Sequence, residues 1–182
     1  MSVRYIVPQH MINTAKEQRK RRDRRYGNLY LETSTDQRWT GDLGEGIFDY
    51  FLSAEKIPHE WQNELEAAGK PDFFVAGYRV GVKTVKRSGP ILSGYTAQIS
   101  TRHVEEPVEF FFFLSYEYPK KRMWLLGGCS KEFFLQHARS YKAGEQVHEF
   151  YTVRPGHAIH NIEIAQLTVP RLWIQQFRKA VK

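Results

Sequence analysis

The sequence predicts an α/β (α+β) fold, a central mixed β-sheet flanked by helices, and three observations predict it. Leu43, Ile47, Tyr50, Phe51 and Ala54 recur at three- and four-residue spacing, which makes one apolar stripe on a helix. Residues 71–86, PDFFVAGYRVGVKTVK, read as two strands around a tight turn at Ala76-Gly77. Residues 109–116, EFFFFLSY, form a continuous apolar run bounded by polar residues, the pattern of a strand buried on both faces. The order of helix, strands, helix, a strand or two and a closing helix completes the assignment. With 182 residues, 41% of them hydrophobic, the chain is long and apolar enough for one domain with its own core.

Each element follows from local pattern. The short run at 3–7, ended by Pro8, reads as an edge strand or an arm. Residues 13–26 read as a helix, with Asn13 or Thr14 as its cap and Glu17 completing a capping box. Seven cations (Lys16, Arg19, Lys20, Arg21, Arg22, Arg24, Arg25) face only Glu17 and Asp23 there, so this stretch holds most of the net charge of +7. It has almost no apolar face, so it is expected to be frayed or flexible when free. Residues 1–40 therefore read as a basic N-terminal arm or helix before a domain at 41–182, with 27–40 a loop anchored by Tyr30 and Leu31. In the helix at 41–56, Gly44 and Gly46 lower propensity and suit close backbone approach. Ile57-Pro58 ends it. A short strand at 59–64 and a polar turn at 65–70 lead to strands at 72–76 and 78–86. Residues 87–107 carry turn signals, Ser88-Gly89-Pro90 and Ser93-Gly94, and alternate only weakly at 95–101. After the 109–116 strand, Pro119-Lys120-Lys121 makes a turn and 122–127 returns. A helix at 130–141, capped by Ser130, strands at 149–153 and 159–164, and a helix at 171–181 close the chain.

The charge narrows the partners. A basic globular chain with a pI of about 9.5 meets a polyanion, nucleic acid or an anionic membrane. The basic helix lacks the Trp/Leu face that membrane-surface binding uses, which favours phosphate contacts made without reading sequence. No apolar run approaches the ~18–20 residues of a membrane span, and the N-terminus lacks a secretory pattern. One cysteine, Cys129, excludes an intramolecular disulfide and a paired-thiol zinc site, and fits a cytoplasmic location. The histidines show no paired metal spacing, and the 110–113 aromatics read as core.

The hairpin carries the chemistry. Phosphodiester hydrolysis activates a water, neutralises charge on phosphorus and stabilises the leaving oxygen; Mg²⁺ on carboxylates with a nearby lysine serves all three. Positions i and i+2 of a strand share a face, so 81 and 83 point the same way and a tight hairpin brings them near Asp72. Here the chain resembles the PD-(D/E)XK nuclease superfamily, the restriction-endonuclease-like fold. Pro71-Asp72, the turn glycine Gly77, and Val80-Gly81-Val82-Lys83-Thr84 match its hairpin; Gly44-Glu45 sits where its helix glutamate stands; Phe110 through Gly127 to Phe133 is similar to its later strands and helix. The resemblance covers about residues 41–175. It implies a Mg²⁺ (or Mn²⁺) endonuclease with DNA favoured over RNA as substrate, a choice the residues leave open. Asp72 would be the central metal ligand, Glu45 an accessory ligand or water-holding group, Lys83 the catalytic lysine and Gln98 a polar residue near the phosphate. The basic arm would grip the backbone, and a homodimer is expected by analogy. Gly81 stands where the family has an acid. Either another carboxylate (Glu45, Glu64 or Glu66) fills that space, or the site is inactive and the chain is a nucleic-acid-binding shell. Apart from the family, a basic RNA- or protein-interaction domain using 16–25 also fits the charge.

Overall fold

In the computed structural model, residues 3–26, 35–62, 70–149 and 151–180 are described. Strand β1 (Val3–Ile6) leads to helices α1 (Gln9–Tyr26) and α2 (Thr35–Ala54). Strands β2 (His59–Trp61), β3 (Phe73–Val75), β4 (Tyr78–Arg87) and β5 (Thr96–Ser100) follow, then the short helix α3 (Thr101–Val104). Next come β6 (Phe110–Glu117), β7 (Arg122–Ser130), α4 (Lys131–His137), β8 (Arg139–Tyr141), β9 (Gln146–His148), β10 (Tyr151–Thr152), β11 (Ile159–Glu163) and α5 (Pro170–Ala180). Six strands form one sheet in the order β1-β7-β6-β4-β3-β2. Among the described residues only β4 and β6 pair in parallel, so the sheet is mixed and the α/β class stands. A second sheet has the order β5-β11-β8, and β9 pairs with β10.

Strand β6 explains how the layers meet. Its alternate residues Phe112, Leu114 and Tyr116 enter a core shared with Phe48, Phe51 and Leu52 of α2 and Trp173 and Phe177 of α5. Phe111 and Phe113 enter a second core on the opposite face, with Ile99, Leu126, Phe134 and Ile162. Helices thus cover one face and the smaller sheet with α4 the other, as the unbroken apolar run predicts. Each fully buried Phe contributes about 1.5–3 kcal/mol of transfer free energy.

The N-terminal region departs from expectation. Helix α1 begins at Gln9 and packs on α2, burying Ile12 and Ala15. Its apolar positions lie before and at the start of the basic run, so the helix is anchored there and not frayed along its length. Residues 35–40, read as loop, form the first turns of α2. Within this stretch Arg38 faces α1 rather than water: it donates to both oxygens of Asp23, at 2.7 and 2.8 Å. The helix predicted at 130–141 stops at His137. Ser130 caps it by accepting from the Phe133 N–H, but residues 139–141 leave as β8 to pair with β11. The strand predicted at 149–153 is the two-residue β10 beside an unpredicted β9, and the one predicted at 59–64 is described only at 59–61. The polar turn predicted at 65–70 falls mostly outside the described residues.

Two glycines in α2 have opposite roles. A Cβ on Gly44 would come 2.9 Å from Thr84 Cβ and closer still to its hydroxyl, whereas one on Gly46 would make ordinary contact with Trp61 at 3.7 Å. Gly44→Ala is therefore expected to cost about 1–3 kcal/mol as α2 is pushed off β4. Gly46→Ala is expected to gain up to about 1 kcal/mol from helix propensity. Urea midpoints of the two variants check this pair; equal effects would refute the close approach.

Candidate active site

The site forms where β3 stops short of its partner. Strand β3 begins at Phe73, opposite Val80, while β4 continues to Arg87. The Asp72 side chain takes the place of the missing strand: its Oδ2 accepts the Val82 N–H at 2.6 Å. Lys83 Nζ lies 3.6 Å from the same oxygen. The hairpin therefore brings Asp72 and Lys83 together, as its sequence predicts.

A carboxylate that sequence reasoning missed joins them. Glu106, in the turn after α3, accepts from Lys83 Nζ at 2.6 Å through Oε2, and its Oε1 lies 2.8 Å from His103 Nδ1. Lys131 Nζ donates to the Glu106 backbone carbonyl at 2.6 Å and fixes the turn. The acidic pair Glu105-Glu106 before Pro107 is the only local signal, and it does not point to Lys83. Glu106 does not occupy the space above Gly81. A Cβ at 81 would meet the Phe111 ring at 3.2 Å and Val108 at 3.4 Å, so apolar side chains fill that side. Of the acids expected there, Glu64 and Glu66 lie outside the described residues.

Glu45 arrives from α2. Its Oε2 accepts from Trp61 Nε1 at 3.1 Å and from Arg22 at 3.3 Å. Arg22 also pairs with Asp42 at 2.8 Å, and Asp42 with Arg19 at 2.7 Å. The basic run, expected to contact phosphate, thus divides into cations turned toward α2 and cations turned outward. Helical spacing turns Arg19 and Arg22 inward, where they neutralise acids of α2. Lys20 pairs with Glu17, and the Lys16 ammonium lies over the Trp39 ring. Arg21, Arg24 and Arg25 remain on the exposed side. Gln98 lies in β5 opposite Asn161 and makes no hydrogen bond to Asp72, Lys83, Glu45 or Glu106.

The charges fall into two states. Burial, then the negative charge of Asp72, push the Glu45 carboxyl up to about 7, against the pull of Arg22. Burial would lower the Lys83 ammonium, but Asp72 and Glu106 outweigh it and hold it above the usual lysine range. Glu106 is likewise buried, yet His103 and Lys83 hold it below the usual carboxylate range. Lys83 is thus a fixed cation, and Glu45 is the group that titrates near neutrality.

Both Glu106 oxygens are engaged, so it orients Lys83. Among the described residues, Asp72 Oδ1 and Glu45 Oε1 accept no hydrogen bond, and no group of three or more His, Cys, Asp or Glu side chains is arranged to hold a metal. Two carboxylate oxygens fit Mg²⁺, which keeps several waters, but not a metal that demands a full protein cage. No helix among the described residues is long and apolar enough to cross a membrane. Neither a family model, nor a curated protein, nor a solved structure matches the chain.

Proposed function

We propose that this chain is a divergent phosphodiesterase of the PD-(D/E)XK type that cuts DNA with Mg²⁺ or Mn²⁺. The supporting observation is the convergence of Asp72 and Lys83 at 3.6 Å beside a strand end, with Glu45 close enough for Asp72 to perturb it. Asp72 Oδ1 and Glu45 Oε1 would hold the cation, which supplies Lewis-acid stabilisation of the developing phosphate charge. Lys83 stays protonated, so it acts on a phosphate oxygen as a hydrogen-bond donor and not as a base. A bound cation would favour the ionised form of Glu45, which would then act as a ligand beside Asp72 and not as a base. Glu106 and His103 hold the lysine in place. A reducing cytoplasm suits Cys129, whose thiol burial pushes up to about 12, and a homodimer would let two such sites cut both strands.

A second reading, a nucleic-acid-binding protein without catalysis, draws on two observations: Phe111 and Val108 fill the side of Gly81, and Glu106 already engages the Lys83 ammonium. Incubation with plasmid, single-stranded and branched DNA separates the two. Cleavage with Mg²⁺ or Mn²⁺ that EDTA stops is the expected result. Salt-sensitive binding without cleavage would select the second reading, and neither outcome would exclude both.

A further inference from the structure

Helix α1 reaches into the candidate active site as well as packing beside it. A chain of alternating charges crosses from α1 to α2. Arg19 Nε lies 2.7 Å from Asp42 Oδ2, Arg22 Nη1 lies 2.8 Å from Asp42 Oδ1, and Arg22 Nη2 lies 3.3 Å from Glu45 Oε2. The chain ends on the carboxylate placed beside Asp72. Burial disfavours the charge on Arg22, yet Glu45, Asp42 and, more weakly, Asp72 hold its guanidinium above the usual arginine range. The two cations of the site are thus built alike. Lys83 stands beside Asp72 with Glu106 behind it, and Arg22 stands on Glu45 with Asp42 behind it. Asp42 is only 1% exposed, so Arg22 is gripped from within the protein and not from solvent.

The effect on Glu45 is geometric. Arg22 from α1 and Trp61 Nε1 from β2 converge on one oxygen, Oε2, at 3.3 and 3.1 Å, while Oε1 accepts no hydrogen bond among the described residues. Two donors from two different elements fix the orientation of the carboxylate and leave its other oxygen for a ligand. Holding α1 on α2 does not call for this arrangement. An ion pair taken out of water gains little over apolar contacts of the same volume, because desolvation offsets the attraction. Arg38 already ties the helices through both oxygens of Asp23.

We propose that Arg22 is a positioning residue of the candidate active site: its guanidinium, fixed by Asp42, holds Glu45 by Oε2 and so keeps Oε1 free for the cation that Asp72 shares. The inference rests on the metal-dependent function proposed above. On this reading the basic run supplies one cation to the site itself, and the planar fork of Arg22 matters as well as its charge, because one group must meet Asp42 and Glu45 together.

The test is Mn²⁺ binding to the DNA-free protein, read by electron paramagnetic resonance of the free ion. Thermal unfolding in EDTA checks that each variant folds. Asp72→Asn marks the site: binding that it leaves unchanged lies elsewhere and counts as none here. Arg22→Gln is expected to weaken Mn²⁺ binding about tenfold or more. Arg22→Lys keeps the charge and loses the fork, so it should fold at least as readily as Arg22→Gln and still bind Mn²⁺ more weakly than wild type. Arg38→Gln breaks a different pair between α1 and α2 and should keep wild-type affinity. Wild-type affinity in Arg22→Gln, or in Arg22→Lys if the glutamine variant does not fold, would overturn the proposal. So would tighter binding, which would make Arg22 only a competing charge. An equal loss in Arg38→Gln would also overturn it, because the effect would then be one of helix packing. All three failures leave Mn²⁺ binding by the wild type intact. A wild type that binds no Mn²⁺ would instead remove the metal-dependent reading, and this role with it.

Discussion

Asp72→Asn is expected to lower metal-dependent DNA cleavage by roughly 10²–10⁴-fold while leaving the fold intact. Asparagine keeps an oxygen able to accept the Val82 N–H, the 2.6 Å bond that closes the end of β3. What it loses is the negative charge toward the cation and toward Lys83. Lys83→Ala should lose cleavage to the same order but for mixed reasons. Its ammonium also neutralises Glu106, whose side chain is about 10% exposed, and removing one partner of a buried pair costs about 3 kcal/mol or more. The double variant Lys83→Met, Glu106→Gln separates the two effects. It should recover most of the lost stability, because no buried charge is left over, and recover none of the cleavage. Single-turnover rates on plasmid, paired with urea unfolding, measure both quantities. Restored cleavage in the double variant would show that Lys83 acts only through folding, and unchanged cleavage in Asp72→Asn would place the chemistry elsewhere.

How much of this was legible depended on sequence separation. The hairpin of β3 and β4 and the doubly buried β6 are short-range patterns, and both stand where the periodicity predicts. Asp72 and Lys83 meet because the ten residues between them fold as two strands around one tight turn, which the sequence spells out at Ala76-Gly77. The partners of Arg19 and Arg22, Asp42 and Glu45, were not legible because they lie 23 residues downstream in another helix. On its own α1 looks like a stripe of solvated charge; against α2 two of its seven cations, Arg19 and Arg22, turn inward to acids. Glu106 was missed for the same reason. Nothing near residue 106 signals that α3 will return it to Lys83, and the weakly patterned 87–107 segment gave no element to place it on. Gly81 stands where the resemblance leads one to expect an acid, but glycine says only that a side chain is absent. It took the positions of Phe111 and Val108 to show that apolar groups, not an acid, lie there.

In EDTA, the protein should become less stable as pH rises from about 4.5 to about 7, by up to about 3 kcal/mol through Glu45 alone. The sign follows from the raised carboxyl. In the unfolded chain Glu45 releases its proton near its ordinary value, whereas in the folded chain burial and Asp72 hold the proton until about 7. Across that window the folded state binds more protons, so raising the pH favours unfolding. Asp42, also raised by burial, adds to the trend. His160 opposes it, since burial holds its imidazole below the usual value and favours the folded state as pH rises toward 6.5. Glu106 is lowered, so its contribution is already complete at the start of the window. The clean quantity is therefore the difference between wild type and Glu45→Gln, which keeps the Trp61 hydrogen bond and cannot ionise. That variant should gain stability relative to wild type steadily between pH 5 and 7 and hold the gain above it. Adding Mg²⁺ at pH 8 should then raise the melting temperature of wild type, because a cation between Asp72 and Glu45 offsets the repulsion that the ionised pair creates. In Glu45→Gln the metal should give a much smaller shift. A wild type and a Glu45→Gln variant with parallel pH profiles would mean that Glu45 is ordinary in its ionisation, and an equal Mg²⁺ shift in both would remove it from the metal site.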